Sequence, residues 1–150
     1  MSDFSANALD NRVSESCFFS CCVGKKICGF IFHTSPRLLI DTLDNTDSKK
    51  WVYLSIHGPW LYCENSATDW PLDFPADNMS DAKLGILSFK LRDAVIEGVF
   101  VRHGSSDIKV VFRNCGVMFI SGKDIEYPSW ELIFPDGCMY NSSDSFIVNW

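Results

Sequence analysis

The chain comes close to repeating itself. Residues 18–33 align without a gap with residues 87–102, and Gly29 then falls on Gly98. Further along, the apolar positions of residues 52–56 can be set against those of residues 108–112. Repeated units that cannot bury an apolar face alone bury it against each other. The repeat therefore favours an architecture in which two similar halves share one core.

The length and composition fit one globular domain. The 150 residues are 47% hydrophobic and 21% charged, which supplies a sizeable core but too little chain for two independent ones. We therefore predict a single domain over residues 1–150. Its pseudo-repeated halves span about residues 5–63 and 80–140, and an acidic loop at residues 64–79 joins them.

Each half begins with a helical pattern. Residues 9–21 carry an apolar side chain at every fourth position, and Gly24 follows as a helix end. In the second half, apolar residues three or four apart predict a helix from about residue 80 to about residue 92. The period then changes to 2 at residues 27–32 and 95–101, which predicts a strand after each helix.

Turn residues divide the rest of the chain into short strands. Residues 103–107 and 114–116 are rich in Gly, Ser, Asn and Asp and separate two apolar strands in hairpin fashion. These strands are predicted at residues 108–112 and 117–120, and further ones at 38–40, 130–134, 138–140 and 146–148. We predict an α+β fold dominated by antiparallel sheet; the alternative is an all-β sandwich.

The charge balance disfavours nucleic acid as a direct partner. Nineteen acidic and thirteen basic side chains give a net charge of -6, and the Lys and Arg residues are not clustered as phosphate binding requires. No apolar run reaches the roughly 20 residues that span a bilayer, and the N-terminal residues lack the order of a signal peptide. We expect a cytoplasmic protein without a membrane partner.

Thiols and imidazoles are the first candidates for chemistry. Five potential zinc ligands fall within one stretch: Cys17, Cys21, Cys22, Cys28 and His33. Their spacing does not match a zinc finger, ribbon or knuckle, and a reduced cytosol favours the seven cysteines as buried apolar residues. We therefore predict neither a metal site nor a cofactor.

A cysteine nucleophile is the second candidate. Cys63 and His57 are six residues apart, but the turn at Gly58 and Pro59 between them reverses the chain. No nucleophile elbow, His-Glu-x-x-His motif or phosphate loop occurs in the sequence. We therefore predict that the protein is not an enzyme, with a cysteine- or metal-dependent enzyme as the less favoured alternative.

The loop at residues 64–79 combines acidic and aromatic side chains. Two prolines exclude a regular helix there, and long loops in compact domains usually have a function. Large aromatic residues ringed by charge are typical of protein-binding hot spots. In the alternative, the rings pack beneath the loop and hold it in place. The predicted partner-binding residues are Glu64, Asp69, Trp70, Asp73, Phe74 and Asp77.

Two segments carry a resemblance to a known group of proteins. They are WELIFPDG at residues 130–137 and VVFRNCGVMFI at residues 110–120. A strand with Phe, a turn, Gly and apolar residues, followed by a Trp strand ending in Asp-Gly, resembles small bacterial immunity-type proteins of contact-dependent growth inhibition and related polymorphic toxin systems. The resemblance covers about the last two-thirds of the chain.

The resemblance implies a function in binding. Such proteins neutralise a cognate toxin domain by occluding its active site, and the resemblance implies a basic toxin such as a nuclease as the partner. An acidic inhibitor would associate rapidly with it. Two alternatives stay open beside it: a ligand-binding or structural β-rich module, and the enzyme considered above.

Overall fold

The computed structural model describes residues 19, 22–32, 36–40, 52–65, 69–74, 81–102, 105–113, 116–122, 129–134 and 139–141. The first part of the chain contributes four strands: β1 (Ile27–Phe32), β2 (Pro36–Ile40), β3 (Val52–Ile56) and β4 (Trp60–Cys63). Then follow α1 (Asp81–Leu91), β5 (Ile96–Val101), β6 (Ile108–Phe112), β7 (Gly116–Ile120), β8 (Trp130–Ile133) and β9 (Met139–Asn141).

Most predicted elements are confirmed. The strands predicted at residues 27–32 and 108–112 are β1 and β6, and the helix predicted at about residues 80–92 is α1. The prediction missed β4, which follows directly on a Gly-Pro turn. Of the helix predicted at residues 9–21 the structure describes only Phe19, and the strand predicted at 146–148 lies outside the described residues.

The strands form two antiparallel sheets, so the predicted β-rich antiparallel class is confirmed. The first sheet has the order β1-β2-β3-β8-β9, and the second has the order β4-β7-β6-β5. Every strand pair in both sheets is antiparallel. No helix within the described segments is long and apolar enough to cross a membrane.

The starts of β1 and β5 meet around a local two-fold axis. The Gly24 N–H donates to the Ile96 carbonyl at 2.7 Å, and the Asp93 N–H donates to the Ile27 carbonyl at 3.1 Å. Gly24 and Asp93 are 69 positions apart, as are Ile27 and Ile96, so the two hydrogen bonds are equivalent. Gly24 and Asp93 also share a left-handed backbone, with φ of 83° and 61°. The chain therefore leads into β1 and into β5 in the same way.

The same equivalence continues into the strands. In β1 the register shifts between Ile27 and Gly29, and in β5 it shifts between Ile96 and Gly98. Each shift is a β-bulge, which adds one residue to a strand and increases its local twist. Residues 69 positions apart thus occupy equivalent places in β1 and β5.

Strand pairing beyond the bulges corrects the downstream alignment. β1 pairs with β2 and β2 with β3, and in the same way β5 pairs with β6 and β6 with β7. β3 is therefore equivalent to β7, whereas the alignment of residues 52–56 with residues 108–112 set it against β6. That alignment was wrong by one strand.

The fourth strand of each half belongs to the sheet of the other half. β4 pairs with β7, and β8 pairs with β3. Trp60 lies opposite Ile120 in the first of these pairs, and Trp130 lies opposite Ile56 in the second. Trp60 and Trp130 are therefore equivalent residues, and each connects the two halves.

One hydrophobic core lies between the sheets. Buried side chains alternate with less buried ones along β5, β6 and β8, as expected when one face of a strand is covered. Residues from both sheets form a single cluster, which includes Trp130, Ile56 and Ile120 at 0% exposure. The ring of Phe19 contacts Trp130 at a centroid distance of 5.4 Å.

α1 packs one side against this core. Leu84, Leu87 and Leu91 are buried, and their spacing of three and four residues places them on one face. The left-handed residue Asp93 follows the helix end. Ile86 and Phe89 are 58% and 81% exposed, so α1 also presents apolar side chains to solvent.

Candidate functional site

The predicted partner-binding residues occupy two places in the fold. Glu64 directly follows β4, and its carboxylate accepts a hydrogen bond from the Lys90 ammonium of α1. The segment 69–74, here called the anchored loop, carries the other described members. They are Asp69, Trp70, Asp73 and Phe74, whereas Asp77 lies outside the described residues.

The anchored loop is held to the second sheet by Trp70. Its ring contacts the ring of Phe119 at a centroid distance of 5.5 Å and an interplanar angle of 55°. Phe119 is fully buried in β7, and its neighbours Met118 and Ile120 belong to the core. Because side chains alternate along a strand, Phe119 points away from the core. Trp70 therefore covers the outer face of the sheet.

Two cations flank this aromatic pair. The Arg102 guanidinium lies 5.6 Å from the centroid of the Trp70 ring, and the Lys109 ammonium lies 5.6 Å from the centroid of the Phe119 ring. Such cation–π contacts add about 0.5–1 kcal/mol each at exposed sites. Trp70 thus contacts Phe119 of β7 and Arg102 at the end of β5, and Lys109 of β6 contacts Phe119 beside it.

Lys109 links this support to an acidic residue of the loop. Partial burial lowers the pKa of the Lys109 ammonium, and the nearby carboxylate of Asp69 opposes that decrease. Asp69 thus stabilises the charge of a cation that the Phe119 ring partly removes from water. The position of Asp69 on the loop is therefore coupled electrostatically to Lys109 in the sheet.

The surface of the anchored loop is apolar at its centre and acidic around it. Leu72 is 97% exposed, whereas Trp70 and Phe74 are half-buried. Asp69 and Asp73 are exposed on either side of Leu72 in the sequence. The sequence analysis did not select Leu72, because it identified the aromatic residues as the apolar anchors. An apolar side chain between two carboxylates and next to a proline was the available signal.

Glu64 ties the start of the connecting segment to α1. The hydrogen bond and the charge of Lys90 hold the pKa of the Glu64 carboxyl below its usual range, with a small opposing effect of burial. Both side chains are accessible to solvent. The pair therefore holds Glu64 beside α1.

The candidate zinc ligands are separated where the structure describes them. Cys22 is fully buried in the core, and the Cys28 thiol contacts the Leu39 carbonyl with an S–O distance of 3.4 Å. Cys17, Cys21 and His33 lie outside the described residues. Within the described part of the chain, no group of three His, Cys, Asp or Glu residues is placed to hold a metal ion.

The candidate catalytic pair is divided between the two sheets. His57 follows β3 of the first sheet, and Cys63 ends β4 of the second. The Nε2 atom of His57 lies 2.6 Å from Oε1 of Glu131 on β8. The imidazole is thus engaged by a carboxylate of the neighbouring strand.

Comparison of the chain with protein-family models, curated proteins and solved structures finds no match. Its class is therefore defined by its own geometry. Two interleaved antiparallel sheets carry a loop that is anchored from below and presents an apolar and acidic surface.

Proposed function

We propose that the protein is an immunity-type inhibitor that binds a basic toxin domain, such as a nuclease, and occludes its active site. The observation that carries this proposal is Leu72, a 97% exposed leucine between Asp69 and Asp73 on the anchored loop. An apolar anchor with charges around it is the arrangement found at protein-binding hot spots. The resemblance of residues 110–120 and 130–137 to immunity-type proteins supplies the toxin as partner.

The anchoring of the loop favours binding. A loop that is already ordered loses less conformational entropy when a partner covers it. Trp70 supplies this order through Phe119 and Arg102, so its contribution is to position Leu72 and the two carboxylates. Phe74 is half-buried on the same loop.

Charge explains the choice of a basic partner. The chain has a net charge of -6, and Asp69 and Asp73 are exposed on the proposed surface. Opposite charges raise the rate of encounter and contribute less to the lifetime of a complex. Nucleases bind polyanions, so their active sites are usually basic and complementary to this surface. Glu64 and Asp77 belong to the same acidic segment and complete the proposed interface.

We extend the proposal to the fold class and to the location of the protein. We assign the fold to the α+β class, because α1 buries three leucines in the core and thereby closes it. We place the protein in the cytoplasm, where a toxin that cuts RNA or DNA would act. Direct nucleic-acid binding and catalysis form no part of this function.

The first experiment isolates the partner. The tagged protein is purified from its native host, and a protein that co-purifies in near-equal amount is identified by mass spectrometry. We expect a basic toxin domain whose activity the purified protein abolishes at a one-to-one ratio. Recovery of the protein without such a partner would contradict the proposal.

The second experiment tests the anchored loop. Leu72→Ser should weaken the complex by about tenfold to a hundredfold, since a buried leucine contributes about 1.5–3 kcal/mol. Asp69→Asn together with Asp73→Asn should slow association at low salt and have less effect at high salt. Phe89→Ser is the matched control, because Phe89 is also a large, exposed apolar residue and lies on α1, outside the loop. If the Leu72 and Phe89 variants lost affinity equally, the loss would not be specific to the loop, and its assignment as the interface would be contradicted.

A further inference from the structure

The helix α1 borders two cavities. One of about 320 Å³ lies between α1 and β4, and Trp60 is among the residues that line it. The other, of about 490 Å³, lies between α1 and β1 and is here called the α1 groove. Phe30 of β1, Gly85 and Phe89 of α1, and Arg92 directly after α1 line this groove. Its volume is within the range of clefts that hold ligands, so the groove can admit side chains of a partner.

The α1 groove contains one of the two most exposed large apolar side chains in the described part of the chain. Phe89 is 81% exposed, and only Leu72 of the anchored loop, at 97%, exceeds it. Phe30 of β1 is half-buried and packs against the core. Removal of exposed apolar surface from water is favourable. A partner that inserts an apolar side chain here therefore gains from its own burial and from that of Phe89.

Gly85 leaves part of the groove without a side chain. The residue is exposed within α1, and an added Cβ would meet nothing within 4 Å. Glycine in a helix interior lowers stability relative to alanine. Packing within the described part of the chain does not require a glycine at this position. A second molecule can, however, approach a helix closely where the Cβ is missing.

The charge at the groove is opposite to that of the anchored loop. Arg92 is exposed, follows Phe89 by three residues, and takes part in none of the ion pairs of the described segments. Asp73 is exposed and directly follows Leu72. A contact between Leu72 and Phe89 of two molecules would therefore bring a carboxylate close to a guanidinium, which is a favourable pair.

The loop that can enter the groove belongs to another copy of the chain. Leu72 is 97% exposed, so it does not occupy the groove of its own molecule. The contact of Trp70 with Phe119 orders the anchored loop, so Leu72 and Asp73 are presented together. The net charge of -6 opposes the approach of two copies. Because a loop in a groove is also a small interface, the association should be weak.

We propose that the α1 groove binds the anchored loop of a second copy of this chain. Leu72 of one copy packs against Phe89 of the other, and the Asp73 carboxylate pairs with Arg92. A contact between two different surfaces of one chain closes into a ring or continues as an open chain of copies. The association covers Leu72, so associated copies cannot offer the anchored loop to a toxin. It is a property of the chain alone and does not rest on the proposed function.

Sedimentation velocity of the full chain, without any toxin, tests the association. Because the contact is small, the measurement covers protein concentrations from about 10 µM to about 1 mM. The average mass should rise with concentration above that of one chain. A single chain at every concentration would overturn the proposal and would leave the groove to an occupant other than this protein.

Three variants locate the contact, and a fourth is the matched control. Leu72→Ser and Phe89→Ser should each weaken the association about tenfold to a hundredfold, because each removes one side of the apolar contact. Gly85→Gln should abolish it by filling the groove. Glutamine favours a helix and position 85 is exposed, so urea unfolding should show equal or higher stability. Ile86→Ser alters an exposed residue of the same helix that lines the other cavity, and should leave the association unchanged.

Two results with these variants would refute the groove as the site. One is an association that Gly85→Gln leaves intact. The other is an association that Ile86→Ser weakens as much as Phe89→Ser does.

Charge reversal tests the pairing of the two surfaces. Arg92→Glu alone and Asp73→Arg alone should each weaken the association, since each brings like charges together. An equimolar mixture of the two variants should associate again. In the mixture the reversed loop meets the reversed groove, and the native loop meets the native groove. Absence of recovery would overturn the pairing of the anchored loop with the α1 groove.

Discussion

The two equivalent tryptophans allow a stability experiment in which each serves as the control for the other. Trp130→Phe removes the bond from Nε1 to the Ser106 carbonyl and leaves that buried oxygen without this donor, at a cost of about 1–3 kcal/mol. The smaller ring also leaves a void of a few tens of Å³, which costs about 1 kcal/mol. The free energy of unfolding should therefore fall by about 2–4 kcal/mol.

Trp60→Phe leaves a similar void but breaks no hydrogen bond. It also removes a buried N–H that has no described acceptor, which returns about 1–3 kcal/mol. The net change should be close to zero or slightly stabilising. Because the void terms cancel in the comparison, the two variants should differ by at least about 2 kcal/mol.

Urea unfolding followed by circular dichroism measures this difference. For a chain of this size, about 2 kcal/mol corresponds to a separation of about 1 M between the two unfolding midpoints. Equal losses in the two variants would refute the reasoning, since they would mean that the indole of Trp60 is as well satisfied as that of Trp130. A change in the slope of unfolding free energy against urea concentration in only one variant would report altered compactness of a state, and the midpoints would then not be compared directly.

Three further predictions concern the turn before β1 and the charged pairs. Gly24→Ala should lower the free energy of unfolding by about 1–2 kcal/mol through its φ of 83° alone, because an added Cβ would meet nothing within 4 Å; urea unfolding tests this. The pKa of Glu64, lowered by Lys90, should return to its usual range in Lys90→Gln when the carboxyl is followed by NMR. Since the folded pKa is depressed, the contribution of this pair to stability is present above the unfolded pKa and is lost as the pH falls through the folded one. The pKa of Lys109 should fall further in Asp69→Asn, because the Asp69 carboxylate opposes the effect of burial. NMR of the ammonium group measures this pKa, and an unchanged value would contradict the prediction.

The sequence predicted local structure well where one segment determines it. The period of three and four residues in α1 and the alternation in β6 depend on neighbouring residues, and both elements lie where they were predicted. The bulges at Gly29 and Gly98 are likewise local features, which is why a gap-free alignment paired these glycines.

Because the connections differ in length, the sequence alignment did not identify the equivalent strands beyond β1 and β5. Residues 33–35 connect β1 to β2, whereas residues 102–107 connect β5 to β6. The connection after β2 is longer than the one after β6, so the spacing between equivalent residues changes at every turn. An alignment without gaps cannot follow such changes, and it therefore set β3 against the wrong strand.

The candidate site was harder to predict because a loop has no period. Trp70 and Phe74 have the greatest apolar surface in the acidic segment, so the sequence favours them as exposed anchors. Whether a ring faces a partner or its own sheet depends on Phe119, which lies 49 positions away in β7 and pairs with Trp70 only in the folded state. The cavity beside Trp60 has the same origin, since α1 and β4 meet only through the tertiary fold.

The exchange of β4 and β8 between the two sheets makes this chain equivalent to a strand-swapped homodimer joined by a linker. A single half would lack a neighbour for its third strand, and a second copy would provide it. Because both halves lie in one polypeptide, equivalent positions can carry different residues. Trp130 donates a hydrogen bond within the protein, whereas Trp60 lines a cavity, so the two halves share a strand arrangement and differ in what surrounds their equivalent tryptophans.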